Sequence, residues 1–187
     1  TLQKVKAKFK INSPYFLALG TLKPNKNYPF LIKAFSHFLK LQSSKALPFQ
    51  LVIAGKKGWL FDEIKIILQK LGLTHEVVFT DFISEEEKWA LYHGAIALVI
   101  PSTYEGFGIP AIESQIVGTP VIASSIPPLK EILKDSALYI DPTDTGSLIA
   151  AFQKILDPDL RQKLISKGQL QSAKFTWKKS AESLSLL

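Results

Sequence analysis

A chain of 187 residues that is 47% hydrophobic has enough apolar material for one packed core and too much for a disordered segment. Its formal charge of +7 is carried almost wholly by lysine, with Arg161 the only arginine, and the lysines are scattered rather than interleaved with aromatics, which argues against a nucleic-acid partner. The lack of cysteine excludes disulfides and thiolate metal sites, no apolar run has the length of a membrane span, and TLQKVKAKFK has no signal-peptide core, so a cytoplasmic location is expected.

Along the chain, strand-like apolar runs alternate with helical periodicity. YFLALG reads as a strand, and Pro29 opens a helix whose residues Phe30, Leu31, Ala34, Phe35, Phe38 and Leu41 fall on one face. QLVIAG is the next strand, WLFDEIKIILQKLG a helix stopped by Gly72, and VVFTDF a third strand. Ser84 and Glu87 form a capping-box pattern ahead of the helix EEEKWALYHG. Ala95 to Ile100 is unbroken apolar sequence, as in a parallel strand covered on both faces, and Pro101 ends its pairing. A helix with Pro110 in its first turn runs through IESQIV to a Gly118 stop, followed by the strand PVIAS, the helix PPLKEIL and the strand ALYI. Asp144 or Thr143 caps TGSLIAAFQKIL, Pro158 begins another helix, and TWKKSAESLSLL reads as a last one. Six strands alternating with helices predict an α/β fold, a doubly wound parallel sheet with helices on both faces.

One segment carries chemistry. Glu105 and Glu113, separated by seven residues, flank the run EGFGIP at the carboxyl end of a buried strand, where open α/β sheets bind ligands. Gly106 and Gly108 let the backbone turn tightly and approach a ligand, and the helix that follows directs free N–H groups at it. Such a terminus favours an anion by about 0.3–1 kcal/mol when exposed and up to about 2 when partly buried. The implied anion is a diphosphate. Glu105 would repel phosphate, so it is aimed at hydroxyl groups, and Glu113, about a turn into the helix, can accept from a ribose.

The segment PSTYEGFGIPAIESQIVGTPVIAS resembles the signature of retaining glycosyltransferases of the GT-B fold, family 4, the glycosyl transferases group 1. FLALGTLKPNKNYPFLIKAF, LVIAGKKGWL, VVFTDFISEEEKWALYHGA and ALYIDPTD are similar to that family in the same order, so the resemblance spans nearly the whole chain. It implies the donor-binding C-terminal half of a GT-B enzyme. Residues 1–13 would be the interdomain connection and residues 14–187 a Rossmann-like nucleotide-sugar-binding domain, with the last helix crossing to an absent N-terminal acceptor domain. The start at Thr1 and the lack of methionine agree with a fragment, expected to be inactive alone.

The resemblance also implies roles. Gly20 and Thr21 would lie near the donor diphosphate, and Lys26 would contact it and stabilise the leaving nucleotide. Glu105 would hold the sugar hydroxyls close to the reacting carbon; Lys26 and Glu105 are the catalytic candidates. Gly106, Phe107, Gly108 and Ile109 would offer backbone N–H groups, and Glu113 would take the ribose. Phe82 and Ile83 would border the nucleobase, with core packing an equal reading of Phe82. Departures from the pattern are Thr21, where many relatives have arginine, Asn25, where others have it, and Asp81, where glycine is frequent. Lys23, Lys56 or Lys57 would have to compensate, although a surface role is the plainer reading of each.

The implied reaction transfers a hexose from a GDP- or UDP-sugar with retention, by front-face departure, with no tightly bound cofactor and no metal. Glu105 and Glu113 are not the carboxylate pair of a retaining glycosidase, and His37, His75 and His93 form no ligand-spaced cluster. The loop pattern GT-x-x-P-x-K-N suggests mannose, from GDP-mannose, in polysaccharide or glycoconjugate synthesis. The lysine excess admits peripheral membrane association through anionic headgroups, beside the plainer reading of a solvated surface. The alternative is a non-catalytic nucleotide-binding or regulatory module: Thr21 and Asn25 favour it, and intact Lys26, Glu105 and Glu113 oppose it.

Overall fold

The computed structural model describes residues 1–42, 49–58 and 61–175. The helix read in TWKKSAESLSLL lies outside the described residues, as do Trp59 and Leu60 ahead of the third helix. In chain order the elements are α1 (Leu2–Phe9), β1 (Tyr15–Leu19), a 3₁₀ turn (Pro24–Lys26), α2 (Tyr28–Leu41), β2 (Gln50–Ala54), α3 (Phe61–Leu71), β3 (Val77–Asp81) and α4 (Glu85–Gly94). They continue with β4 (Leu98–Ile100), α5 (Ile109–Ile116), β5 (Val121–Ser124), α6 (Pro127–Leu133), β6 (Ala137–Ile140), α7 (Thr145–Lys154) and α8 (Pro158–Ser172).

All six strands pair in parallel in the order β3-β2-β1-β4-β5-β6, the expected doubly wound sheet. Side chains alternate across a strand, and both faces of this sheet carry helices, so consecutive residues must all be apolar. On one face Phe16, Ala18, Leu51, Ile53, Val99, Ile122 and Ile140 pack beneath α2, α3 and α7. On the other Tyr15, Leu17, Val52, Ala54, Leu98, Ile100, Val121 and Ala123 pack beneath α1, α4, α5 and α6. Phe16 anchors the first face, its ring 4.5 Å from Phe152 and 5.7 Å from Phe38 between centroids. Such tilted and edge-on pairs add to the area that the rings bury.

Helix starts follow the sequence signals. Ser84 and Glu87 form the full reciprocal box, with Glu87 N donating to Ser84 Oγ at 3.2 Å and Ser84 N to Glu87 Oε2 at 2.9 Å. Of the two candidates for α7, Asp144 is the cap, accepting from Gly146 N at 2.8 Å. Helix α1, not foreseen, packs on α4: Leu2, Val5 and Phe9 recur at helical spacing but only Val5 is buried, and Lys8 pairs with Glu87. That ion pair, together with the cap, holds the Glu87 carboxyl below its usual range. The helix ends on Lys10 in the left-handed conformation, with Ile11 N donating back to Lys6 O at 2.8 Å.

The carboxyl ends of β1, β2 and β3 are joined backbone to backbone: Gly20 N donates to Ala54 O at 2.8 Å, and Gly55 N to Asp81 O at 3.1 Å. Gly55 has φ +146°, and a Cβ there would lie 2.3 Å from Gly20 O. No other residue type fits so close an approach. Gly55→Ala is therefore expected to lower stability by about 2 kcal/mol or more in urea denaturation, through strain and contact with backbone that has no rotamer to escape into. Phe16→Ala should cost about 3–5 kcal/mol in the same assay, as a large ring lost from a fully packed core.

Candidate functional site

The strand order reverses direction between β1 and β4. Loops leaving neighbouring strands at such a point diverge to opposite faces and open a crevice at the carboxyl edge. Gly20 and Lys26 lie after β1, and Glu105 lies after β4, so the topology puts both catalytic candidates on this crevice.

Local chemistry fixes the two loops against each other. Asn27, left-handed at φ 55°, donates through Nδ2 to Pro101 O at 3.2 Å and Pro142 O at 3.0 Å, tying the β1–α2 loop to the ends of β4 and β6. Thr103 N donates to Asn25 O at 2.9 Å, and Asn25 Nδ2 to Tyr104 O at 3.1 Å. Asn25 is thus a latch between the loops.

Lys26 Nζ lies 2.6 Å from Glu105 Oε1, with side chains 20% and 13% exposed. Ser102 Oγ donates to the same oxygen at 2.6 Å. Beneath them the buried Tyr28 hydroxyl donates to Gly20 O at 2.9 Å. Burial, with a further push from the Glu105 charge, holds the Tyr28 phenol far above its ordinary range, so it stays a neutral donor. Gly20 (φ +145°) leaves room for the lysine stem, since a Cβ there would lie 3.1 Å from Lys26 Cε.

Helix α5 begins at Gly108, which has φ +99° and whose Cβ position would lie 2.7 Å from Leu129 Cδ2. No side chain of the described residues caps this terminus, its first turn has no acidic residue, and the space around Gly106 is open. Its N–H groups are therefore available to an anion. Phe107 and Ile109 are half exposed at its mouth, with the Phe107 ring edge-on to Phe175 at 6.0 Å.

Glu113, one turn further, is engaged by α4. Lys88 Nζ donates to its Oε1 at 2.8 Å and the Tyr92 hydroxyl to its Oε2 at 2.9 Å. Lys88 also pairs with Glu85 at 2.9 Å. Burial alone would lower the Lys88 pKa, but the hydrogen bonds to Glu113 and Glu85 outweigh it and raise the ammonium above its ordinary value. Burial, then the Glu113 charge, pushes the Tyr92 phenol far up.

The end of β3 lies two strands from β1, about 10 Å away. Asp81 has φ 59°, the left-handed conformation that glycine adopts most readily. A hydrogen bond from Lys57, 3.2 Å away, holds its carboxyl below the usual range. Phe82 is 70% exposed with Lys56 Nζ 5.8 Å from its ring centroid, which removes the core-packing reading; Ile83 packs against the second core face. Lys56 and Lys57 are thus turned to Phe82 and Asp81.

The structure brings Lys26 and Glu105 into contact beside Gly20 and Thr21, and sets Glu113 with α4 and Phe82 on the β3 side of the same edge. Sequence reasoning missed Ser102, Tyr28, Lys88 and Tyr92. Lys88 and Tyr92 lie four apart on a helix read correctly, a spacing that puts both on one face, and Ser102 is three residues before Glu105.

Known proteins are similar to this chain in sequence and architecture. The family described as glycosyl transferases group 1 matches residues 1–171. The O-antigen chain mannosyltransferase B of Escherichia coli is 30% identical over 164 residues, 87% of this chain and 42% of that protein. The O-antigen chain mannosyltransferase RfbU of Salmonella typhimurium is 36% identical over 141 residues, 75% of this chain and 38% of that protein. The chain thus spans less than half the length of these curated relatives. Among solved structures, sucrose-phosphate synthase from Thermosynechococcus elongatus superposes with a TM-score of 0.82 at 27% identity, over 98% of this chain and 47% of that one. Anabaena HepE in complex with UDP-glucose shares the fold, with a TM-score of 0.83 at 19% identity over 100% of this chain and 52% of that one. The signature around Glu105 and Glu113, the six-stranded parallel sheet and a family match that runs from Thr1 to Gln171 lead to one assignment: the chain belongs to the glycosyl transferases group 1 family.

Proposed function

We propose that the crevice between the β1 and β4 loops binds a nucleotide-sugar donor for transfer of a hexose with retention of configuration. The observation that carries this reading is the Lys26–Glu105 pair at 2.6 Å beside the uncapped start of α5, which sets a cation and free N–H groups next to a carboxylate. An ammonium and a helix terminus suit a diphosphate, whereas a carboxylate suits the hydroxyls of the attached sugar. Glu113 takes the ribose, and exposed Phe82 offers a face to the base.

In the reaction so read, the bond from the sugar's anomeric carbon to the diphosphate oxygen breaks and the bond to the acceptor oxygen forms on the same face. The acceptor proton passes to the departing phosphate. Lys26 and the α5 N–H groups stabilise the charge that accumulates there, and Glu105 orients the sugar. The acceptor is held by a domain outside this chain. Mannose is the favoured sugar, since both O-antigen relatives are named mannosyltransferases, and their names support polysaccharide synthesis as the setting. Uridine and guanosine donors both remain in the test, because HepE was solved with UDP-glucose.

The test is calorimetric titration of the full-length protein with UDP, GDP, UDP-glucose and GDP-mannose. One base series should saturate, and Lys26→Ala should weaken it about tenfold or more, the scale of a lost hydrogen bond to a charged group. Unaltered binding by Lys26→Ala, or no binding in either series, would contradict the reading. Tight donor binding without transfer to any acceptor would favour the non-catalytic module.

A further inference from the structure

Glu113 is held twice over by residues to which no role has been assigned. Both come from α4, whose first turn is fixed by the Ser84–Glu87 box and which packs on α5. Tyr92 is fully buried, and its own carbonyl accepts from Thr119 Oγ1 at 2.6 Å, which ties its backbone to the segment after α5. Lys88, with its side chain 15% exposed, is anchored by Glu85 on one side and Glu113 on the other. A carboxylate has about four lone-pair sites. Lys88 occupies one on Oε1 and Tyr92 one on Oε2, which among the described residues leaves one free on each oxygen. That is the acceptor pattern for two adjacent hydroxyls. The Glu113 side chain is only 19% exposed, so without these partners it would sit part-desolvated and uncompensated, and would turn outward to water. The Lys88 charge also offsets the repulsion Glu113 would exert on a nearby diphosphate.

We propose that Lys88 and Tyr92 are positioning residues that hold Glu113 in one orientation, so that its remaining lone pairs read the 2′ and 3′ hydroxyls of a ribonucleotide. The inference rests on the reading of Glu113 as the ribose acceptor. A latch between α4 and α5 with no bearing on the ligand would stabilise the protein equally well, so the measurement must separate the two.

The experiment measures, on the full-length protein, the dissociation constants of UDP and GDP and of their 2′,3′-dideoxy counterparts, and takes the ratio for the base that binds. Changes in folding or overall charge act on both ligands and cancel. Wild type should prefer the ribose form about tenfold or more. Lys88→Met and Tyr92→Phe should each reduce that preference to about threefold or less, and Lys88→Arg should recover most of it. If Lys88→Met fails to fold by circular dichroism, Tyr92→Phe, which removes a single oxygen, carries the test. A full preference in the folded Lys88 and Tyr92 variants, with Glu113→Ala abolishing it, would overturn the inference and leave the ribose reading standing. A preference that survives Glu113→Ala, or is missing in wild type, would overturn the ribose reading and the inference with it.

Discussion

Lys26 and Glu105, 2.6 Å apart, join two loops that the sheet topology drives to opposite faces. The pair is part-buried, and Ser102 shares the carboxylate oxygen. Removing either partner would leave an uncompensated charge at the bottom of the crevice, the costly case for a desolvated pair. A ligand that enters must therefore satisfy both. In the proposed reading a sugar diphosphate would do so, giving phosphate oxygens to the lysine and hydroxyls to the glutamate, whereas a simple anion would satisfy only one. The rest of the fold serves this contact: Asn27 ties the lysine loop to the ends of β4 and β6, Asn25 latches it to the backbone at Thr103 and Tyr104, and Gly20 leaves the space through which the lysine stem passes.

The same edge is graded in chemistry from one strand to the next. At the β3 end an aromatic ring is turned to solvent with Lys56 beside it, at the β1 and β4 ends a cation meets a carboxylate, and behind them α5 presents a terminus that no described side chain caps and then Glu113. In the proposed donor-binding reading, base, diphosphate, sugar and ribose each have a matching group within the span of a few strands. Nothing in this layout requires the protein to reorganise its sheet. The two core faces, with Phe16 and its neighbouring rings on one and Tyr92 on the other, make the platform rigid enough for the loops to be placed reproducibly.

Much of this was legible in the sequence because the signals are local. Unbroken apolar runs marked the doubly covered strands, Ser84 with Glu87 marked the start of α4, and Pro101, Gly108 and Pro110 marked the passage from strand to helix. What escaped depends on which elements become neighbours. Helix α1 is lysine-rich and buries one residue, so its periodicity is faint until α4 is known to cover it. Lys88 and Tyr92 could be placed on a common face, but only the packing of α4 on α5 aims that face at Glu113. Phe82 was ambiguous because a phenylalanine after a strand reads equally as core. The left-handed turn at Asp81 ends β3 and leaves the ring exposed, and no composition or spacing signal announces it.

The most direct measurement is a crystal structure of the full-length protein with its nucleotide diphosphate sugar bound. The account predicts the diphosphate at the start of α5 within hydrogen-bonding distance of Lys26 Nζ, with Glu105 released from the lysine and bonded to the sugar. A nucleotide bound elsewhere, with the Lys26–Glu105 contact intact, would contradict it.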